Sequence, residues 1–134
     1  MLDEFYSIAQ SINNNYIEND KAHGTPCIGY TCSYFPEEIL HSFGIIPYRI
    51  KGLNVHSLSV ADAAFGPFIC SHPKCLLQHF ADGDYSFLDG IIVTPGCDSM
   101  RRIDECIRKT AIHMDLPIVS PFFFHYAVPH KITE

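Results

Sequence analysis

Positive charge is scarce in this 134-residue chain: 9 Lys and Arg stand against 15 Asp and Glu, a formal net charge of −6. A protein held to nucleic acid by phosphate contacts needs the reverse balance, so no nucleic-acid partner is expected. Long apolar runs are missing too, and no stretch approaches a membrane span. The opening Met1-Leu2-Asp3-Glu4-Phe5 is acidic and carries neither the basic region nor the apolar run of a secretory signal. We therefore expect a cytoplasmic protein, in a compartment where structural disulfides are uncommon. Internal repeats and low-complexity tracts are absent, as are a P-loop, a G-x-G-x-x-G and a G-x-S-x-G. The 8 histidines are dispersed and form no i, i+4 ligand pair; His72 and His130, near expected turns, are the hardest to dismiss.

Among what is present, the 6 cysteines stand out. In a reducing compartment they point to metal binding, thiol chemistry or burial. Cys27-x4-Cys32 and Cys70-x4-Cys75 are pairs, but neither has zinc or ferredoxin spacing. With 47% hydrophobic and 18% charged residues, the chain has the composition of one globular domain.

The pattern predicts a single α/β lobe over residues 1–134, with residues 1–24 as an N-terminal helix and loop. Leu2, Phe5, Ile8, Ala9, Ile12 and Tyr16 follow helical spacing. Residues 27–31 read as a strand and 32–35 as a turn. Pro36 then opens a helix at its favoured first position, with Ile39, Leu40 and Phe43 as its apolar face and Gly44 as its stop. Residues 45–50 read as the next strand, residues 51–66 carry no clear pattern, and 68–70 read as a short extended piece. Ser71 caps a helix to about Ala81, closed by Gly83. Residues 89–94, centred on Ile91-Ile92-Val93, read as a parallel strand buried on both faces. Asp98 or Ser99 caps a helix whose apolar face is Ile103, Cys106, Ile107, Ala111 and Met114. Residues 117–119 and 122–126 read as further strand, and 127–134 as the lead into another helix. Alternating strands and helices predict a mainly parallel sheet flanked by helices. The last strand is expected to be poorly covered, a surface that invites association.

Cys70 and Cys97 fall where the chain turns at the C-terminal ends of strands, the edge at which α/β sheets collect ligands. A thiolate at Cys97, ahead of a helix, gains from the positive helix end. Shared ligation of an iron–sulfur centre is the economical reading. The alternative for each is a small buried hydrophobe beside a turn. Cys75, about one helical turn past Cys70, reads as packing or as a further ligand. Cys32 and Ser33 occupy a turn that can reach a site. Cys27 and Cys106 read as core. Arg101 and Arg102 fall in the first turn of the expected helix, where the dipole disfavours cations unless an anion lies near; otherwise they are solvated surface side chains.

These residues carry a resemblance. Gly29-Tyr30-Thr31-Cys32-Ser33-Tyr34-Phe35-Pro36-Glu37-Glu38-Ile39-Leu40, then Phe43-Gly44-Ile45-Ile46-Pro47-Tyr48-Arg49, resembles the N-terminal signature of the 2-hydroxyacyl-CoA dehydratases and benzoyl-CoA reductase subunits. The segment around Cys70, Phe87-Leu88-Asp89-Gly90-Ile91-Ile92-Val93, Cys97-Asp98-Ser99-Met100-Arg101-Arg102 and Val128-Pro129-His130-Lys131 continue the match in order.

The resemblance implies a flavodoxin-like, Rossmann-like lobe and a 4Fe-4S cluster held by three cysteines. Cys70 and Cys97 match the first two; the third lies in a later lobe that this sequence lacks. The chain thus reads as an N-terminal lobe that works with a homologous subunit or a missing C-terminal lobe. The resemblance further implies an ATP-hydrolysing iron–sulfur activator that injects a low-potential electron. The cluster passes it to the thioester carbonyl of a 2-hydroxyacyl-CoA, and the resulting ketyl radical expels the hydroxyl to give a 2-enoyl-CoA. Ser33 is then a substrate contact, with Arg101 and Arg102 as anion-binding groups for the acyl-CoA. Cys75 departs from the pattern and keeps open a double-cubane or benzoyl-CoA-reductase-like component. A non-catalytic assembly lobe and a thiol-redox protein using Cys70 and Cys75 remain as other readings.

Overall fold

The computed structural model describes residues 1–115 and 123–127. The chain runs α1 (Leu2–Gln10), α2 (Asn15–Ala22), β1 (Cys27–Tyr30), α3 (Glu37–Ser42), β2 (Ile46–Arg49), α4 (Ser59–Ala64), α5 (Ser71–Asp82), β3 (Gly90–Val93), α6 (Asp98–Arg101), α7 (Ile103–Met114) and β4 (Phe123–His125). The strands lie in the order β2-β1-β3-β4, all parallel. This is the flavodoxin-like order, and the direction of winding reverses between β1 and β3.

The strands bury both faces because their side chains alternate. Cys27, Tyr48, Ile91 and Val93 point to one face, where Ile17 of α2, Ala61 of α4, Leu76 and Leu77 of α5 and Ile103 and Ile107 of α7 cover them. Ile28, Tyr30 and Ile92 point to the other, where Phe35, Leu40 of α3 and Tyr126 pack. Helices α2, α4, α5 and α7 therefore stand on the first face and only α3 on the second. Most of the core energy lies on the first face: truncating a side chain such as Leu76 or Leu77, each 1% exposed, costs about 2–5 kcal/mol.

The thinner face explains one difference from the sequence reading. Of the expected α3 stripe only Leu40 is buried, while Ile39 and Phe43 are 51% and 77% exposed. A helix of six residues presents little more than one side chain inward. Phe124, exposed on β4 in register with Ile92, extends this apolar surface.

The N-terminal helix is split. Asn14 interrupts it by accepting from the amides of Tyr16 and Ile17, which caps α2. Helix α1 buries none of its residues. It is held by Lys51, whose Nζ donates to the carbonyls of Ile8 and Ser11, each at 3.2 Å, and by Asn54 Nδ2 on Gln10 O at 2.9 Å. Those carbonyls end the helix, so a cation there is favourable.

Residues 51–66, unpatterned in the sequence, contain α4. The Gln78 side chain accepts from the amides of Val60 and Ala61 and so caps α4 from α5. No strand forms over residues 68–70: the chain turns through Pro67 and Phe68, bends at Ile69, and only Cys70 has an extended backbone. Buried His79 fixes the preceding loop: Nε2 lies 2.7 Å from Leu53 O and Nδ1 2.6 Å from Asp84 Oδ2. A carbonyl only accepts, so Nε2 carries the proton. Gly83 ends α5 with φ 82°, as its spacing predicts. The strand expected over 117–119, and the 128–134 segment with His130, lie outside the described residues.

Candidate functional site

A parallel sheet gathers all its C-terminal ends on one edge. After β1 come Thr31, Cys32 and Ser33; after β3 come Thr94, Pro95, Gly96 and Cys97. Helix α5 returns the chain to β3, so it too begins at this edge, with Cys70 as its N-cap. Cys97 is the N-cap of α6. The cap positions are thus the cysteines themselves, and not Ser71, Asp98 or Ser99. Both have extended backbones, with ψ of 162° and 169°, and neither uses its side chain to cap the helix. Both are exposed and free. The sequence expected both thiols at the C-terminal ends of strands: Cys97 does follow β3, whereas Cys70 follows the turn after α4 and reaches this edge only as the start of α5.

The remaining cysteines behave differently. Cys27 is 0% exposed, and burial pushes its thiol up to about 12, with Asp89 adding to burial and Lys21 opposing it. Burial also raises Cys106, on the inner side of α7. Both are core thiols, as expected. Cys75 packs against the chain just past β2: a Cβ on Gly52 would lie 2.8 Å from Cys75 Cβ, so only glycine admits this approach. Cys32 is half-buried in the turn after β1, where the Phe35 amide donates to its carbonyl at 3.0 Å. Phe35 anchors that turn between Tyr30 and Tyr126, with ring centroids at 5.6 and 5.5 Å. Ser33 is left exposed at the tip.

The arginines need a correction. Arg101 is the last residue of α6, and Arg102 joins α6 to α7 with φ −108° and ψ 6°. They do not fall in the first turn of one long helix. Arg101 sits at a helix C-terminus, where a cation is favoured, and lies 3.8 Å from Asp98. No anion is required to explain it. Both guanidinium groups are exposed.

Two residues at the edge went unread in the sequence. β1 and β3 still pair at Thr31, whose amide donates to Ile92 O at 3.2 Å. One step further the strands part, and the Thr94 amide donates to Thr31 Oγ1 at 3.0 Å. A side chain replaces a carbonyl in the last rung of the ladder. The signal was present as a threonine at the end of each strand flanking the reversal.

The fit to an iron–sulfur cluster is partial. Exposed, unpaired thiols at a ligand-collecting edge have the right chemistry, since thiolates are the usual cluster ligands. Their number is short: among the described residues no three His, Cys, Asp or Glu side chains converge on a metal position. Neither Cys32 nor Cys75 completes such a group. A groove of about 380 Å³ between α4 and α7 is lined by Val60, Ala63, Ala64, Cys106, Thr110 and Met114, among others. None of the expected site residues lines it.

Residues 32–131 match the family described as 2-hydroxyglutaryl-CoA dehydratase, D-component. The (R)-phenyllactyl-CoA dehydratase beta subunit of Clostridium sporogenes is 28% identical over 119 residues, covering 88% of this chain and 32% of that protein. The beta subunit of (R)-2-hydroxyglutaryl-CoA dehydratase from Acidaminococcus fermentans is 27% identical over 119 residues, 89% of this chain and 31% of that protein. A benzoyl-CoA reductase subunit of Thauera aromatica is 31% identical over 78 residues, 57% of this chain and 20% of that protein. The chain spans about a third of the length of the two dehydratase subunits.

Proposed function

We infer the role of this chain from one fact: it belongs to the 2-hydroxyglutaryl-CoA dehydratase, D-component, family. We propose that it is an iron–sulfur component of a 2-hydroxyacyl-CoA dehydratase, converting a 2-hydroxyacyl-CoA to a 2-enoyl-CoA. The observation that supports this best is the pair of exposed thiols, Cys70 and Cys97, each an N-cap at the C-terminal edge of one sheet.

In this reading Cys70 and Cys97 hold a 4Fe-4S cluster, and further ligands come from outside the described residues. When bound, the cluster would supply one-electron chemistry. The chain's own residues do the rest. The α5 and α6 backbones fix the two sulfurs. Ser33, exposed at the tip after β1, offers a hydroxyl to the acyl-CoA. Arg101 and Arg102 offer exposed positive charge to its phosphates. A companion dehydratase polypeptide completes the site, since the relatives are named as subunits. An ATP-dependent iron–sulfur activator supplies the electron. The free thiols of all six cysteines suit a reducing cytoplasm.

The similarity to a benzoyl-CoA reductase subunit supports a second reading, a component that reduces its acyl-CoA substrate and does not dehydrate it. Anaerobic reconstitution with iron and sulfide, followed by acyl-CoA turnover with the companion polypeptide and activator, separates the two. Release of 2-enoyl-CoA supports dehydration, and ring reduction of an aromatic thioester supports the reductase. Failure of Cys70→Ala and Cys97→Ala to lower iron content removes both.

A further inference from the structure

One buried atom is left without a role. Thr94 is 4% exposed, and its Oγ1 is the buried side-chain polar atom with no hydrogen-bond partner among the described residues. An unpaired hydroxyl in the interior is costly, and such exceptions point to a missing water, ion or ligand. Its position is specific. Thr94 is the first residue beyond β3, at the point where β1 and β3 part, which is where ligands enter folds of this type. Its amide is already committed to Thr31 Oγ1 at 3.0 Å. Its carbonyl accepts from Gly96 N at 2.8 Å, a tight turn that places Cys97 three residues on. Only the hydroxyl has nothing to do. The Thr31 hydroxyl, already an acceptor, also has a proton to give, and a hydroxyl that accepts is a stronger donor.

We propose that Thr94 and Thr31 form a two-hydroxyl subsite at the β1/β3 reversal that donates hydrogen bonds to an electron-rich acceptor atom of the group bound there. The shared chemistry is an electron-rich hydrogen-bond acceptor, and it has two sources: an inorganic sulfide of a cluster held through Cys97, or the carbonyl oxygen of an acyl thioester lying against it. This rests on the proposed function and adds the residues that recognise the bound group. A 120° step of Thr94 about χ1 carries its hydroxyl to another staggered position, so the donor can be re-aimed without moving the backbone.

The test compares the full chain with Thr94→Val and Thr94→Ser in three measurements. Thermal melting of the ligand-free proteins comes first: Thr94→Val should melt at or above the wild type, because the hydroxyl it removes is unpaired. Reconstitution with iron and sulfide comes second, read by iron content and by potentiometric EPR. If sulfide is the acceptor, Thr94→Val keeps its iron but shifts to a more negative midpoint potential, and Thr94→Ser restores it. Titration with acetyl-CoA comes third. If the thioester oxygen is the acceptor, Thr94→Val weakens binding about tenfold, the worth of one hydrogen bond, and Thr94→Ser does not. A ligand-free Thr94→Val that melts well below the wild type overturns the proposal, since the hydroxyl then has a structural partner. Unchanged potential together with unchanged thioester affinity, in proteins that load normally, also overturns it. A wild type that takes up neither iron nor thioester even with the companion polypeptide present instead overturns the functional reading beneath it.

Discussion

The amide of Thr94 donates to the side chain of Thr31 at 3.0 Å, closing the sheet at the point where β1 and β3 separate. This bond ties the turn carrying Cys32 and Ser33 to the turn carrying Cys97. Thr31→Val leaves a buried amide unpaired, at a cost of about 1–3 kcal/mol, whereas Thr31→Ser keeps the acceptor and costs under about 1 kcal/mol. Urea unfolding of the two variants measures the difference. Equal stabilities would mean that the bond does not hold the turns together.

Thiol reactivity should follow position. Cys70 and Cys97 are exposed, while Cys27 is 0% exposed and its thiol is pushed up to about 12. Iodoacetamide should therefore label Cys70 and Cys97 in the folded protein and reach Cys27 only after unfolding. Mass spectrometry of timed samples reads the order. Cys27→Ala should cost about 1–2 kcal/mol through the space it leaves, and Cys97→Ala less than about 0.5 kcal/mol.

Acid should loosen the start of the sheet. Asp89 Oδ2 accepts from Lys21 Nζ at 2.6 Å and from the Cys27 amide at 2.7 Å, joining α2, β1 and the lead into β3. Burial alone would raise this carboxyl, but the two hydrogen bonds and the Lys21 charge outweigh it and hold it below its usual value. A group depressed in the folded state contributes fully above its unfolded value, about 3.9, and loses that contribution as pH falls through the lower folded one. Wild-type stability should thus fall more steeply than that of Asp89→Asn below about pH 4. At neutral pH Asp89→Asn should be less stable by roughly 1 kcal/mol. Parallel pH curves for the two proteins would contradict this account.

Helix α1 should open first. It buries no residue and depends on Lys51 at its C-terminal carbonyls. Hydrogen exchange should be fastest over residues 2–10, and Lys51→Met should speed it further while leaving β1 and β3 protected. Equal protection of α1 and β3 would show that α1 is packed more firmly than its exposure implies.

Much of this was legible in the sequence because it depends on local chemistry. Ile91-Ile92-Val93 reads as a buried parallel strand, Gly44 and Gly83 as stops, and Cys97 as a residue at a strand-to-helix turn; Cys70 reads the same way but sits between α4 and α5. What escaped depends on distant partners. Helix α4 has only Ala61 buried and is capped by Gln78 from another helix, so its own six residues carry no period. The break at Asn14 rests on one side chain choosing the backbone over solvent. The split between α6 and α7 at Arg102 moved Arg101 from a helix start to a helix end. Thr31 and Thr94 look ordinary until the sheet order puts them side by side.

The central claim is that Cys70 and Cys97 together hold an iron–sulfur centre. Anaerobic iron and sulfide quantitation with EPR, on the reconstituted chain and its Cys70→Ala/Cys97→Ala variant, tests it most directly. Cluster iron in the wild type, lost in the double variant and kept in Cys106→Ala, is the predicted result. Equal iron in the double variant and the wild type, or none in either when the companion polypeptide is present, would contradict it.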